Sequence, residues 1–271
     1  MTESATRTEI IAAEPAESLA AVFDLDPPTD AEVPELWHWL YLLDRRLESE
    51  LGPDGHPTSG IPAPPGPGRR RMFAGGRVTT LRRLSIGESA TRESRVVNTV
   101  DKQGGSGLLT FVTVRHEISQ DGTTAIVDEQ DIVYRAQGTT SLPGDRPTTL
   151  AVPERSDQLA LDVDERLLFR FSALTYNAHR IHYDLGWAQH EGYDGLVVHG
   201  PLQAILMGEV ARRADVSLAG KQFAYRLVAP MVGAQVVTAV AAESGATHGA
   251  EVYAADGRCT ATATLTALDR T

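Results

Sequence analysis

Arg170 to Glu209 reads RFSALTYNAHRIHYDLGWAQHEGYDGLVVHGPLQAILMGE, and the rest of the chain is legible as scaffold around it. The stretch opens on a β-rich run, crosses a segment crowded with hydrogen-bonding groups, and reaches Gly200-Pro201. Leu202, Ala204, Ile205, Leu206, Met207, Val210 and Ala211 then cover nearly the whole circumference of a helix expected over residues 201–213. A helix apolar all round is buried all round. Gly200 suits the N-cap, and Pro201 suits the first helical position, where its missing N–H was an orphan anyway. The start of such a helix carries free backbone N–H groups and the positive end of the macrodipole. Aimed at a carbonyl, those groups form an oxyanion hole. An ordinary capped core helix carries the same Gly-Pro pair, so the polar segment before it has to decide the chemistry.

That segment holds His179, His182, His190 and His199, half of the chain's eight histidines. His179 and His182 are three apart and share a side if the segment is helical. A metal site would need a third ligand, for which Asp184 and His199 are available, but no HExxH pattern is present. Acid–base catalysis is the better reading, because histidine is the side chain most naturally poised to move a proton near neutral pH. Any one of these histidines taken singly would more often be a surface or satisfied core residue.

Outward from this stretch the pattern is β. After it, strands are expected at 223–228, 234–242, 249–253 and 259–268. Before it, strands are expected at 77–84, 91–100, 108–118 and 124–134, punctuated by Gly87, Gly104-Gly105 and Asp121-Gly122. Val112, Val114 and Ile118 alternate with polar residues, so one sheet face is buried and the other wet. The two blocks repeat one outline, a weak similarity that fits an internal duplication. The Gly-, Pro-, Ser- and Thr-rich run 137–157 is the expected linker, with a boundary near residue 150. Near the N-terminus a helix is expected over Thr8 to Phe23, kinked by Pro15, and another over Pro34 to Tyr41. Residues 51–71, LGPDGHPTSGIPAPPGPGRRR, admit no regular structure and read as a functional loop or a linker.

Composition excludes several classes. At 271 residues with 42% hydrophobic and 23% charged content, the chain is an ordinary globular protein with ample core. A net charge of −11 argues against nucleic acid and against an anionic membrane surface. Cys259 is the sole cysteine, so neither an intrachain disulfide framework nor a cysteine metal cluster is available. No secretory signal or membrane-length run is seen, and a cytosolic protein is expected.

Taken together, Asn177-Ala178-His179-Arg180-Ile181-His182 and Val198-His199-Gly200-Pro201 resemble the hydratase motif of the MaoC-like, (R)-specific enoyl-CoA hydratase superfamily. The whole chain from about residue 8 resembles its double-hot-dog branch of hydroxyacyl-thioester dehydratases and 3-methylfumaryl-CoA (mesaconyl-CoA) hydratases. Phe171 to Asn177, Ile181 to Asp184 and Gly195 to Leu202 carry this in the second half. In the first half Leu36 to Tyr41, Leu51 to Pro57, Arg70 to Arg77 and Phe111 to Glu117 carry it. The resemblance implies an α+β double hot-dog fold, antiparallel sheets each wrapped around a helix. Residues 1–150 would form a degenerate N-terminal hot-dog domain and 151–271 the catalytic one. It implies a hydro-lyase acting across the α,β double bond of an acyl-CoA thioester, with a short branched or dicarboxylic enoyl-CoA as the expected substrate. No cofactor or metal is implied.

His182 matches the family's catalytic histidine. Where the broader superfamily has a catalytic Asp this chain has Asn177, an amide that cannot exchange a proton, and His179 stands where the family has Asn. Asn177 is therefore expected to position water or the thioester, and His179 is a candidate for the second proton transfer. Gly200 is the expected oxyanion donor. Tyr176, Tyr183, Val198, His199, Arg70 and Arg71 are expected to bind substrate, the arginines because CoA phosphates or a free acyl carboxylate want guanidinium forks. Partners are expected to be an acyl-CoA or acyl-carrier-protein thioester and a second copy in a homodimer. A hot-dog thioesterase using Asp184 or Glu209, and a non-catalytic acyl-thioester-binding protein, are the alternatives.

Overall fold

The computed structural model describes residues 4–66, 68–104, 107–136, 152, 158–244 and 247–268. The expected boundary at residue 150 and nearly all of the expected linker lie outside them. The first half contributes β1 (Ser4–Ile10), α1 (Glu14–Val22), β2 (Arg69–Thr80), β3 (Ser89–Gly104), β4 (Gly107–Gln120) and β5 (Thr123–Ala136). The second contributes β6 (Leu159–Val163), α2 (Glu165–Leu174), α3 (Leu185–His190), α4 (Gly200–Arg213), β7 (Lys221–Leu227), β8 (Gln235–Ser244), β9 (Thr247–Tyr253) and β10 (Cys259–Ala267). All pair antiparallel in one continuous sheet, ordered β1-β3-β4-β5-β2-β7-β10-β9-β8-β6. The halves join edge to edge where β2 meets β7, Gly75 to Thr80 opposite Arg226 to Lys221. This is the expected double hot-dog arrangement.

The second half of the sheet wraps α4. Every residue from Leu202 to Val210 is buried, including Gln203 and Glu209. Those two polar groups are satisfied: Gln203 Oε1 accepts from Thr260 Oγ1 at 2.7 Å, and Glu209 Oε1 accepts from Trp37 Nε1 at 2.7 Å. Trp37 belongs to a single 3-10 turn (Trp37–Leu40) where a longer helix was expected. Leu36 before it has a positive φ of 70°, which stops an α-helix from starting there. One apolar cluster contains Leu19, Trp37 and Ile118 of the first half together with Leu206, Val237 and Val252 of the second. The halves therefore share a core and not merely an edge.

Two expectations fail for local reasons. The N-terminal helix is a strand followed by a shorter helix: Ser4 to Ile10 pair with Arg95 to Ser89 at the sheet edge, and α1 starts only at Glu14. Pro15 sits in the first turn of α1 and starts the helix instead of kinking it. The β-rich run opening at Arg170 is the end of α2. Its start lies upstream, where Asp164 caps the helix by accepting from the Leu167 N–H at 3.0 Å. Leu167, Leu168 and Phe171 then form its buried stripe. No helix among the described residues is long and apolar enough to cross a membrane.

Candidate active site

A cavity of about 700 Å³ opens where β2 and β7 part. β2 follows β5 along its whole length but follows β7 only from Gly75 onward, and a bulge falls between Phe73 and Gly75. A bulge bends its strand. Gly75 is needed there: its φ is 146°, and a Cβ would lie 2.4 Å from the Tyr225 carbonyl oxygen. The freed half of β2 forms one wall, the chain after β7 another, and the α2–α4 connection a third. Gly200 and Pro201 line the cavity floor. His199 is the N-cap residue, one position earlier than expected, and no side chain caps the helix. Its first N–H groups are left for a ligand.

His182 ends a 3-10 turn (Arg180–His182) and is buried. Its Nδ1 lies 2.7 Å from the Val197 carbonyl oxygen. A carbonyl only accepts, so Nδ1 carries the hydrogen and Nε2 holds a lone pair. The ring stacks on His199 with centroids 3.7 Å apart. His199 Nε2 in turn meets Ser172 Oγ at 2.9 Å. Burial, with His179 adding, pushes His182 down to about 3, and burial with His182 holds His199 well below its ordinary value. Both rings are neutral at pH 7, and His182 Nε2 is free to accept a proton.

These depressed values make a stability prediction. In the unfolded chain both rings bind a proton near pH 6.5, whereas in the folded protein burial keeps His182 neutral down to about pH 3 and holds His199 well below its ordinary value. Stability is thus complete above pH 6.5 and is lost as pH falls toward 3, each pH unit costing about 1.4 kcal/mol per ring. The Tm should fall between pH 7 and pH 4, and less steeply in His199→Gln. Equal slopes in the two proteins would remove these rings as the cause.

Asn177 Oδ1 accepts from the His179 backbone N–H at 3.0 Å, so the amide holds the loop's shape. His179 Nε2 lies 3.6 Å from Glu191 Oε1. Glu191 is braced by Trp187 Nε1 at 2.8 Å and by Arg70, which donates to its carbonyl oxygen at 2.5 Å. Against the other face of His179, centroids 4.0 Å apart, lies His56 from the irregular loop of the first half. Neither Glu191 nor His56 was singled out from the sequence. For His56 the signal was present in the Asp54-Gly55-His56 turn, where Asp54 Oδ2 meets His56 Nδ1 at 3.0 Å.

Of the other expected site residues, Tyr176, Val198 and His199 line the cavity with Arg70 and Arg71. Tyr183 does not: it is half exposed and its hydroxyl donates to the Ala178 carbonyl at 2.9 Å. Five of the six arginines between Arg69 and Arg83 are engaged within the fold. Arg69 bonds Thr110, Arg70 Glu191, Arg77 Glu129 and Asp131, Arg82 the Gln120 carbonyl, and Arg83 Glu35. Arg71 is partly buried and has no hydrogen-bond or ion-pair partner among the described residues. The carboxylates considered for a thioesterase lie elsewhere, Asp184 capping α3 and Glu209 inside α4. The first half's share of the cavity is lined by His38, Arg92, His116, Asp128 and Gln130. Trp39, Leu43, Ile61, Met72 and Phe73 line it beside them, so the wall is mixed, polar and apolar.

The family model described as hydroxyacyl-thioester dehydratase type 2 matches residues 36–233. The chain is 45% identical over 258 residues to a mesaconyl-C(4)-CoA hydratase of Chloroflexus aurantiacus, covering 92% of this chain and 91% of that one. Among solved structures, HtdX of Mycobacterium tuberculosis superposes with a TM-score of 0.69 at 17% identity, covering 98% of this chain and 100% of that one. A MaoC-like dehydratase of Phytophthora capsici gives 0.68 at 12% identity, covering 99% and 97%.

Proposed function

This chain belongs to the hydroxyacyl-thioester dehydratase type 2 family and is an acyl-CoA hydro-lyase, and on that premise we propose that it hydrates a short dicarboxylic enoyl-CoA of the 3-methylfumaryl (mesaconyl-C4) type. The observation that carries the reading is the placement of the lone pair of His182 Nε2 and the uncapped start of α4 in one cavity. The thioester carbonyl lies at the helix start, where the Gly200 N–H stabilises enolate character. His182 Nε2 takes one proton from a water as the water oxygen bonds to the β-carbon, and the π electrons move to the carbonyl oxygen. The carbonyl re-forms as the His182 imidazolium returns that proton to the α-carbon. Acid–base groups of this kind contribute about 100–10,000-fold and an oxyanion donor about 100–1,000-fold. Asn177 shapes the loop and exchanges no proton.

Arg71 supports the dicarboxylic substrate, since a partly desolvated guanidinium with no ion-pair partner among the described residues wants an anion. Arg70 acts through Glu191. Arg71→Ala should raise KM for mesaconyl-C4-CoA about tenfold or more, one charged hydrogen bond being worth about 1.5–3 kcal/mol, and leave KM for crotonyl-CoA nearly unchanged. Equal effects on both substrates would return Arg71 to a structural role. The activity itself is tested by loss of the enoyl-thioester absorbance on a panel of enoyl-CoAs. Release of free thiol without hydration would mark a thioesterase. We place the protein in the cytoplasm, as a homodimer using CoA and not a carrier-protein thioester.

A further inference from the structure

The reaction needs a nucleophilic water held by two groups, because one proton leaves while the other stays on the new hydroxyl. Asn177 leaves the usual loop position without a carboxylate, and its oxygen is committed to the His179 backbone. The first half delivers a carboxylate to the same place by another route. Residues 53–56 are stitched to the second half's loop: the Arg180 N–H donates to the Asp54 carbonyl at 2.9 Å, and Arg180 Nη1 donates to the Pro53 carbonyl at 3.0 Å. The contact is close enough that Gly55 has no room for a side chain, a Cβ there meeting the Ala178 oxygen at 1.8 Å. This fixes the His56 ring against His179, tilted by 39° with centroids 4.0 Å apart, and the His179 ring meets His182 edge-on at 5.5 Å. His56 lines the cavity while Asp54 stands behind it.

We propose that Asp54 and His56 replace the missing carboxylate: His56 Nε2 accepts the retained hydrogen of the water whose other proton goes to His182. The proposal rests on the hydratase reading above. Asp54 Oδ1 also accepts from the His56 backbone N–H at 3.0 Å, so both carboxylate oxygens are spent on orienting this one residue. Ionised, the carboxylate only accepts, which puts the ring hydrogen on Nδ1 and the lone pair on Nε2. Burial raises the Asp54 carboxyl, but the hydrogen bonds from the His56 ring and backbone outweigh it and hold it at about 2. It is ionised throughout the working range. No proton is gained or lost by His56 over the cycle: the new C–O bond forms at the β-carbon, His182 carries the transferred proton to the α-carbon, and the retained hydrogen ends on the product hydroxyl. Asp54 is a positioning residue and His56 a catalytic one, supplied by a half whose own motif is absent.

The rival reading is a cation, since one donor atom from each of Asp54, His56 and His179 lies within 4.8 Å of the others. The test compares wild type, His182→Ala, His56→Ala, His56→Gln, Asp54→Asn and the Asp54→Asn/His56→Ala double variant on one enoyl-CoA that the wild type hydrates. His56→Ala should lose about 100-fold in kcat with KM little changed, and free imidazole should restore part of it. Asp54→Asn keeps the turn but donates to Nδ1, inverting the tautomer, and should lose a similar factor. The double variant should then be no worse than His56→Ala alone. His56→Gln, whose amide oxygen can still accept the hydrogen, should keep more kcat than His56→Ala. Near-wild-type kcat in His56→Ala, with His182→Ala inactive, would overturn the dyad and leave the hydratase reading standing. Multiplying losses in the double variant would also overturn it. So would activity lost to a chelator and restored by a divalent ion, which would reassign the three residues to a cation. If the wild type hydrates no enoyl-CoA, the hydratase reading fails and the dyad falls with it.

Discussion

His182→Ala should abolish hydration, with kcat lower by about 100–10,000-fold and KM for the enoyl-CoA nearly unchanged. The ring makes one hydrogen bond through Nδ1 and presents its other nitrogen to the reaction. Removing it deletes a proton-transfer group whose interaction strengthens only in the transition state. The cost to the fold is separate: the Val197 carbonyl is left without its donor, worth about 1–3 kcal/mol, and a shift in Tm reports it. Asn177→Asp should be tolerated, since a carboxylate oxygen can still accept from the His179 N–H. Full activity in folded His182→Ala protein would sink the assignment.

Gly55→Ala should lower kcat about 100-fold or more without touching any reacting group. At φ 87° an L side chain is strained, and the new Cβ would fall 1.8 Å from the Ala178 oxygen, a backbone atom that cannot rotate away. The first-half loop and the loop carrying His179 and His182 must separate by more than an ångström, and misplacement on that scale costs about 100-fold. The two Arg180 bonds to residues 53 and 54 are broken with them. The checks are kcat in a protein whose circular dichroism is unchanged, and limited proteolysis between residues 52 and 60. Wild-type turnover would show that the two loops need not touch for the site to work.

How much of this was legible beforehand follows the range of each interaction. The strands after residue 89 and the buried helix were readable because alternation and an all-round apolar stripe are local patterns that burial imposes directly, whereas β2 was expected at 77–84 and in fact starts at Arg69, inside the Gly-, Pro- and Arg-rich run. The N-terminal strand was not, because seven residues on a sheet edge, paired with β3 and burying almost nothing, carry no strong period. β6 and the start of α2 were not legible, because a five-residue strand running straight into an Asp164-capped helix gives too short a stretch of either period.

The sequence by itself determined the family, the fold class and the start of the buried helix, and it singled out His182 as the candidate base, since motif residues lie within a few positions of one another. It also showed the defect at Asn177. Only the tertiary structure decided what stands near that defect. His56 is 123 positions from His179 in the chain, and they meet because β2 pairs with β7 and folds the first half's loop across the second half's motif. It decided, too, that Arg71 alone of its cluster is unpaired among the described residues, because the acceptors that claim its neighbours come from distant strands and loops. Hydrogen-bond and charge partners are chosen across the sheet by register, and register is a property of the packed core rather than of any one segment.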